Sequence, residues 1–223
     1  MHMKLNKRFT GRALAGMALM ALAFPAYPNL ITNGSFELGI PVGSFVSLYG
    51  APDSTSVTGW TVQNVDYIGS YWQASNGSRS IHLNGPVPGS VSQAFNTTSG
   101  TQYSVTFDLS GNPDGGPAIK TLQVSAGANS SNYTFNIAGI THSNMGYLQQ
   151  TFNFTAMGAS STLTFLSTTS SYWGPVIDNV NVVQNSAIPE PASLTLLGLG
   201  LLALVIWRNW KMWLMRYLPT FHF

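Results

Sequence analysis

Two pairs of adjacent aromatic residues occur in segments rich in serine and glycine, a composition typical of loops. They are Tyr71 with Trp72, and Tyr172 with Trp173. Flat rings can stack on the apolar faces of sugar rings, and loops carry binding residues more often than strands do. These four residues are therefore the predicted ligand-binding residues. Packing or a contact with another subunit is the alternative for the two tryptophans.

Other aromatic and polar residues have simpler explanations. Trp60 follows a glycine and precedes a strand pattern, and Tyr67 lies on the apolar side of its own strand pattern, so both are expected in the core. Asp66, Arg79 and His82 interrupt apolar strand motifs. A salt bridge between Asp66 and Arg79 would explain these polar residues as well as a binding site would.

Catalytic motifs are absent from the sequence. It contains no Gly-x-Ser-x-Gly elbow, no His-Glu-x-x-His motif, no phosphate-binding loop and no dinucleotide-binding glycine pattern. Two of the four histidines, His2 and His222, lie in the end segments, which leaves His82 and His142 for a triad or a histidine metal site. We therefore expect no enzymatic activity.

The charge of the chain is divided between its ends and its middle. Seven of the nine Lys and Arg residues lie in the end segments, so the middle holds two cations and seven acids, a net charge of −5. This acidic region is unsuited to nucleic acid, which binds basic surfaces. The chain has no cysteine, so its stability must come from a packed core or a metal ion.

The elements that position the candidate residues are predicted to be strands. Turn clusters of Asn, Gly, Pro and Asp separate short apolar or alternating segments, and no helical period of useful length occurs between residues 26 and 188. Many short strands with regular turns indicate an all-β sandwich or jelly roll. The predicted strands cover residues 81–83, 91–95, 103–109, 122–124, 148–154, 162–166 and 176–182.

The order of short motifs along this region resembles that of a known family. NLITNGSFE at 29–37 opens the region, GWTV at 59–62 and GSRSIHL at 77–83 follow, and GPVIDNV at 174–180 closes it. This order resembles the choice-of-anchor C family, which is related to a domain-of-unknown-function group in plant cell-wall proteins. Both look like galactose-binding-type jelly rolls and carbohydrate-binding modules. The resemblance implies a jelly-roll domain at 29–185 and suggests glycan binding.

The same resemblance implies a structural calcium ion. Glu37 and Asp178 match acids that help to hold calcium in related jelly-roll modules, and Asn33 and Asn179 could add oxygen ligands. A hard cation prefers such oxygens, and an ion that joins the two ends of the domain would replace a missing disulfide. The alternative is that both acids accept backbone hydrogen bonds at strand ends.

The N-terminal end has the pattern of a signal peptide. Four basic residues within the first twelve precede an apolar run at 13–23, and Ala21-Leu22-Ala23 offers a cleavage site after Ala23. Residues 1–23 are therefore predicted to be a signal helix that signal peptidase removes, with a short linker at 24–28. An uncleaved N-terminal anchor is the alternative.

The C-terminal end has a short motif followed by an apolar run and basic residues. Pro189, Glu190 and Pro191 precede the apolar run at 194–207, and the basic residues that follow are Arg208, Lys211 and Arg216. This order resembles the PEP-CTERM sorting signal of exosortase substrates in Gram-negative bacteria, a region also named the ice-binding protein C-terminal domain. The pattern predicts a linker at 186–193, a transmembrane helix at 194–211 with a cytoplasmic basic end, and a basic, aromatic tail at 212–223.

These features together predict an exported protein that is held transiently in the inner membrane and then sorted by exosortase to the cell surface or outside the cell. Its expected role is non-catalytic association with extracellular polysaccharide or a biofilm matrix. The alternative is a structural envelope protein that makes protein–protein contacts without a sugar ligand. Ice binding would favour a regular Thr-x-Thr array, which the sequence lacks.

Overall fold

The computed structural model describes residues 28–185 and 192–217. Its β-strands lie in the first range and a helix, α1 (Ala192–Tyr217), fills the second. The strands are β1 (Phe45–Leu48), β2 (Thr61–Gln63), β3 (Val65–Ile68), β4 (Ser80–His82), β5 (Ser90–Asn96), β6 (Gln102–Gly111), β7 (Ile119–Ala126), β8 (Asn129–Asn136), β9 (Leu148–Thr155), β10 (Ser160–Ser167) and β11 (Pro175–Gln184).

The strands form two antiparallel sheets that pack face to face. One sheet has the order β1-β3-β4-β11-β6-β9, and the other has the order β2-β5-β10-β7-β8. From β4 to β11 this is the strand order of a jelly roll, in which most successive strands change sheets. The predicted β-sandwich is therefore confirmed.

Alternating side chains fill the space between the sheets. In β6, the apolar residues at 103, 105, 107 and 109 are buried while their neighbours at 104 and 106 are partly exposed. Phe107 meets Phe165 of β10 with ring centroids 5.0 Å apart, and Trp60 also packs against Phe165, with ring centroids 6.3 Å apart. Trp60 and Tyr67 both belong to this core, as the sequence predicts.

The beginning of the domain docks on its last strand. The backbone N–H of Leu30 donates to the carbonyl of Val182, and the N–H of Val180 donates to the carbonyl of Gly34. The Asn29 side chain bonds both to the Val180 carbonyl and to the Val182 N–H. The two ends of a cysteine-free domain are thus joined by hydrogen bonds.

Loops cover part of the outer face of the six-stranded sheet. Side chains alternate along a strand, and Ile81 and Tyr67 face the core, so the positions beside them point outward. A small hydrophobic cluster sits there under the loops and consists of Ile68, Trp72, Met145 and Val176. One row of cross-strand neighbours runs over this face from β1 to β6 and consists of Ser47, Asp66, His82, Val176 and Ser110.

The C-terminal helix begins and ends outside the predicted bounds of 194–211. No helix among the described residues has both the length and the apolar character needed to cross a membrane, which corrects the predicted transmembrane helix. Its uninterrupted apolar run at 194–207 ends at Arg208 and spans about 21 Å, less than the ~30 Å of a bilayer core.

Several sequence predictions fall on residues outside the described ranges. They are the signal peptide at 1–23, most of the first linker, the Pro189, Glu190 and Pro191 motif, and the tail after residue 217.

Candidate functional site

An aromatic cleft with a volume of about 200 Å³ opens over the outer face of the six-stranded sheet, and all four predicted ligand-binding residues line it. Two carboxylates, Asp66 and Asp114, also line the cleft, together with the side chains of Ile68, His82 and Asn112. Its aromatic lining consists of Phe45, Tyr49, Tyr71, Trp72, Tyr172 and Trp173.

The loop between β10 and β11 supplies two exposed rings of the cleft. Tyr172 is 61% exposed and Trp173 is 39% exposed, and their ring centroids lie 6.5 Å apart in an edge-to-face arrangement. The indole of Trp173 lies against the backbone of Gly115, where a Cβ atom would come within 2.4 Å of the ring. Glycine at this position therefore lets the β6–β7 loop support the indole from behind.

The loop between β3 and β4 supplies the floor of the cleft. Trp72 is 5% exposed, and its indole N–H donates to the Ser80 hydroxyl at 3.0 Å. The half-buried Tyr71 packs against Phe45 of β1 with ring centroids 5.3 Å apart. Packing, the alternative for the tryptophans, thus describes Trp72, whereas Trp173 presents ring surface to the cleft.

Asp66 ties three strands together below the cleft. Its Oδ1 accepts hydrogen bonds from the hydroxyls of Ser47 and Tyr49 at 2.7 and 2.8 Å, and its Oδ2 pairs with His82 Nδ1 at 3.0 Å. Burial favours a raised pKa for Asp66, but the hydrogen bonds from His82, Ser47 and Tyr49 outweigh it, and the pKa is lowered. The carboxylate therefore stays ionised.

His82 uses both ring nitrogens in structural contacts. A backbone N–H can only donate, and that of Gly174 points at His82 Nε2 at 2.9 Å, so Nε2 accepts. In the neutral ring the proton then lies on Nδ1, where it is donated to Asp66. His82 thus fixes the start of β11 against β4.

The predicted salt bridge between Asp66 and Arg79 is wrong. The Arg79 guanidinium donates to the Tyr67 hydroxyl and to the Ile40 carbonyl. Tyr67 and Asp66 are adjacent on β3, so their side chains point to opposite faces of the sheet. Arg79 lies with Tyr67, and His82 is the partner of Asp66.

Asp114 is the more exposed of the two acids that line the cleft. Its Oδ2 accepts the Tyr71 hydroxyl at 2.9 Å and its Oδ1 pairs with His142 Nε2 at 2.6 Å, while its side chain is 31% exposed. The hydrogen bond to Asp114, burial and the charges of both carboxylates raise the pKa of Tyr71. Burial and, to a lesser extent, Asp66 raise that of Tyr49. The carboxylates therefore contribute to both shifts, together with burial.

Glu37 and Asp178 hold a single loop instead of facing an open site. Asp178 accepts the backbone N–H groups of residues 75 and 76 at 2.8 Å each, and Glu37 accepts those of residues 78 and 79. N–H groups aimed at the carboxylate oxygens leave a cation poorly accommodated. The described residues contain no group of three or more His, Cys, Asp or Glu that could hold a metal ion.

The two asparagines that could add calcium ligands are also engaged. The Asn33 side chain bonds the backbone of Leu38, and the Asn179 side chain donates to Asp108. These residues as arranged do not fit a calcium site. Their contacts are those of the alternative in which both acids accept backbone hydrogen bonds. Calcium binding stays an untested prediction of the sequence, whereas these contacts favour the alternative.

Sequence reasoning did not single out several residues around the cleft. Phe45 begins β1, a short strand whose side chains are only partly buried, and Tyr49 directly follows that strand. Asp114 lies in a glycine-rich turn, and His142 lies in the loop before β9. The only sequence signal for Asp114 was its position as an acid in a glycine-rich turn.

Comparisons with known proteins identify relatives of the chain. Halomucin of Haloquadratum walsbyi is 34% identical over 189 residues, which cover 82% of this chain and 2% of halomucin. Protein DUF642 L-galactono-1,4-lactone-responsive gene 1 of Arabidopsis thaliana is 30% identical over 191 residues, which cover 77% of this chain and 50% of that protein. The chain therefore spans at most half the length of these two relatives.

Among solved structures, CBM35 from Paenibacillus barcinonensis is similar with a TM-score of 0.43 and 21% identity, covering 57% of this chain and 94% of that one. Residues 187–209 match the PEP-CTERM protein-sorting motif, as the sequence predicts, and this motif implies export to the cell surface and processing by exosortase. Residues 29–183, more than half of the chain, match the family described as protein of unknown function DUF642, and the chain belongs to this family.

Proposed function

We propose that the β-sandwich is a non-catalytic glycan-binding domain and that the aromatic cleft is its binding site. The observation that carries this proposal is the meeting of two aromatic pairs, from loops far apart in the sequence, in one cleft that also holds two carboxylates. Exposed rings next to hydrogen-bond acceptors suit a sugar, which has apolar ring faces and hydroxyl donors.

Each part of the cleft has a role in this proposal. The exposed indole of Trp173 provides the stacking surface, and Gly115 behind it keeps the ring in place. Asp114 has solvent-exposed carboxylate surface that can accept sugar hydroxyls. Trp72 closes the floor and is fixed by Ser80, so the site is formed before a ligand arrives.

The polar groups of the cleft favour binding over glycoside hydrolysis. Hydrolysis needs a carboxylic acid that donates a proton and a second carboxylate on the other side of the bond. Asp66 is held ionised by three hydrogen-bond donors, and His82 has both ring nitrogens engaged.

The sorting motif gives the setting for this binding. We propose that exosortase processes the protein in a Gram-negative bacterium and that the domain then associates with extracellular polysaccharide or biofilm matrix. Between residues 24 and 191 the sequence holds two cations, Arg79 and Lys120, which leaves nucleic acid an unsuitable partner.

A binding assay on a panel of oligosaccharides tests the proposal. The full chain, purified in a detergent without a sugar headgroup, is expected to bind at least one glycan, and Trp173→Ala is expected to weaken binding by about tenfold, ~1.4 kcal/mol. Trp210→Ala is the matched control, because Trp210 is an exposed tryptophan of α1 outside the cleft.

Two results would count against the proposal. Wild-type protein that retains no glycan above background would favour the structural, protein-binding alternative. Equal losses in the Trp173→Ala and Trp210→Ala variants would place binding elsewhere on the chain.

A further inference from the structure

The charge and the aromatic lining of the cleft narrow the class of sugar. We infer that the aromatic cleft binds a sugar residue that carries an ammonium group, an unacetylated amino sugar. This inference rests on the proposed function, because it concerns the same cleft.

The cleft offers negative charge and no lysine or arginine side chain. Asp66 and Asp114 line it, and no Lys or Arg does. Arg79 is engaged by Tyr67 on the opposite face of β3. The buried Lys120 donates to the Gly115 carbonyl behind the loop, and burial lowers its pKa to about 8. A sugar carboxylate or sulfate would therefore meet acids without a cationic partner.

The rings of the cleft suit a cation. Ammonium groups are attracted to the faces of Trp, Tyr and Phe within about 6 Å, and aromatic cages are a recurring way to recognise them. Four of the six aromatic residues that line the cleft are exposed and have ring surface to offer, and they are Phe45, Tyr49, Tyr172 and Trp173.

Asp114 is the carboxylate best placed for an ion pair. Each of its oxygens accepts one hydrogen bond, from Tyr71 and from His142, so each keeps a lone pair for a further donor. Asp66, by contrast, already accepts three hydrogen bonds and is less exposed than Asp114. The positive charge of Lys120 attracts Asp114 from behind the loop, outside the lining of the cleft.

The size of the cleft limits how much ligand it holds. Its volume of about 200 Å³ is below the roughly 300–1,000 Å³ of sites that enclose drug-sized ligands. One pyranose ring with its amino group therefore occupies the cleft, and neighbouring residues of a polysaccharide lie outside it.

Three tetrasaccharide probes test the inference on the full chain at about pH 6.5, below the ordinary pKa of an amine. They are built from glucosamine, N-acetylglucosamine and galacturonic acid. The glucosamine probe is expected to bind about tenfold more tightly than the acetylated probe, and the galacturonic acid probe the least. Binding of the glucosamine probe should weaken severalfold between about 50 and 500 mM salt.

Asp114→Asn separates charge from shape. It should lower the affinity for the glucosamine probe about fivefold and leave the affinity for the acetylated probe within about twofold. Asp53→Asn makes the same charge change outside the cleft lining and should alter neither affinity. Unchanged tryptophan fluorescence and unfolding midpoints would show that both variants fold.

The outcomes distinguish this inference from the proposed function. Equal or tighter binding of the acetylated or acidic probe, still lost in Trp173→Ala, would overturn the inference and support glycan binding. Equal effects of Asp114→Asn on the glucosamine and acetylated probes would also overturn it. No binding of any panel glycan would overturn the proposed function itself.

Discussion

The buried carboxyl group of Asp178 is expected to make the stability of the sandwich depend on pH. Burial raises its pKa to about 7 from an ordinary 3.8, and the charge of Asp108 adds to the effect, although three backbone N–H bonds oppose it. Between these pKa values the folded state binds a proton that the unfolded chain releases. The free energy of unfolding therefore falls as pH rises, by up to ~1.4 kcal/mol per pH unit.

The size of the effect follows from the two pKa values. The contribution of about 4 kcal/mol is fully present below about pH 4 and is lost as pH rises through 7. Between about pH 5 and pH 8 the loss comes to about 2.6 kcal/mol. Urea unfolding of the full chain, followed by tryptophan fluorescence across this range, measures it, with Asp178→Asn as the variant that removes the titration.

Wild-type protein is compared with Asp178→Asn because the other titrating groups are the same in both, so the difference reports Asp178 alone. Relative to Asp178→Asn, wild-type protein should lose about 2.6 kcal/mol of unfolding free energy from about pH 5 to pH 8. Asp53→Asn is a control of opposite sign, since hydrogen bonds from Ser56 and Thr55 lower the pKa of Asp53 to about 2. Its contribution is lost only as pH falls below about 4. A flat difference would show that the N–H groups hold Asp178 ionised, which refutes the reasoning.

Two further perturbations follow from the same contacts. Gly174→Ala should destabilise the domain by about 1–3 kcal/mol, because a Cβ atom there would come 1.8 Å from the side-chain oxygen of Asn84; chemical denaturation measures this, and an unchanged midpoint would contradict it. EDTA should leave the thermal midpoint unchanged, because backbone N–H groups already occupy the carboxylates of Glu37 and Asp178. A drop that calcium restores would show that the ion binds after all.

The strands that could be predicted are those in which apolar and polar residues alternate along the sequence. All seven predicted strands overlap observed ones, because one face of each is pressed into the core. Strand β8 (Asn129–Asn136) escaped prediction because most of its residues are polar and exposed, and its pairing with β7 through the backbone leaves no apolar pattern. Strand β1 escaped because its side chains are only partly buried.

The residues of the candidate site were partly predictable, but their grouping was not. Loop composition was enough to select the aromatic pairs, whereas their meeting over one sheet depends on tertiary structure. The partner of Asp66 was within reach of the sequence. Asp66 and His82 are each adjacent in sequence to a core-facing residue, so both side chains point to the outer face of the sheet. The Arg79 side chain instead contacts Tyr67 on the other face. For Glu37 and Asp178, sequence does not show that loop N–H groups meet both acids.

The docking of the first residues on β11 has a consequence for folding during export. Asn29 bonds Val180 and Val182 across 151 and 153 positions, and contacts of such long range slow folding because a large loop must close first. In a chain that is exported from its N-terminus, the sandwich cannot close until its final strand has emerged. A chain stopped before residue 180 would leave the opening segment unpaired. The cleft likewise depends on a late segment, because Tyr172 and Trp173 lie directly before the final strand.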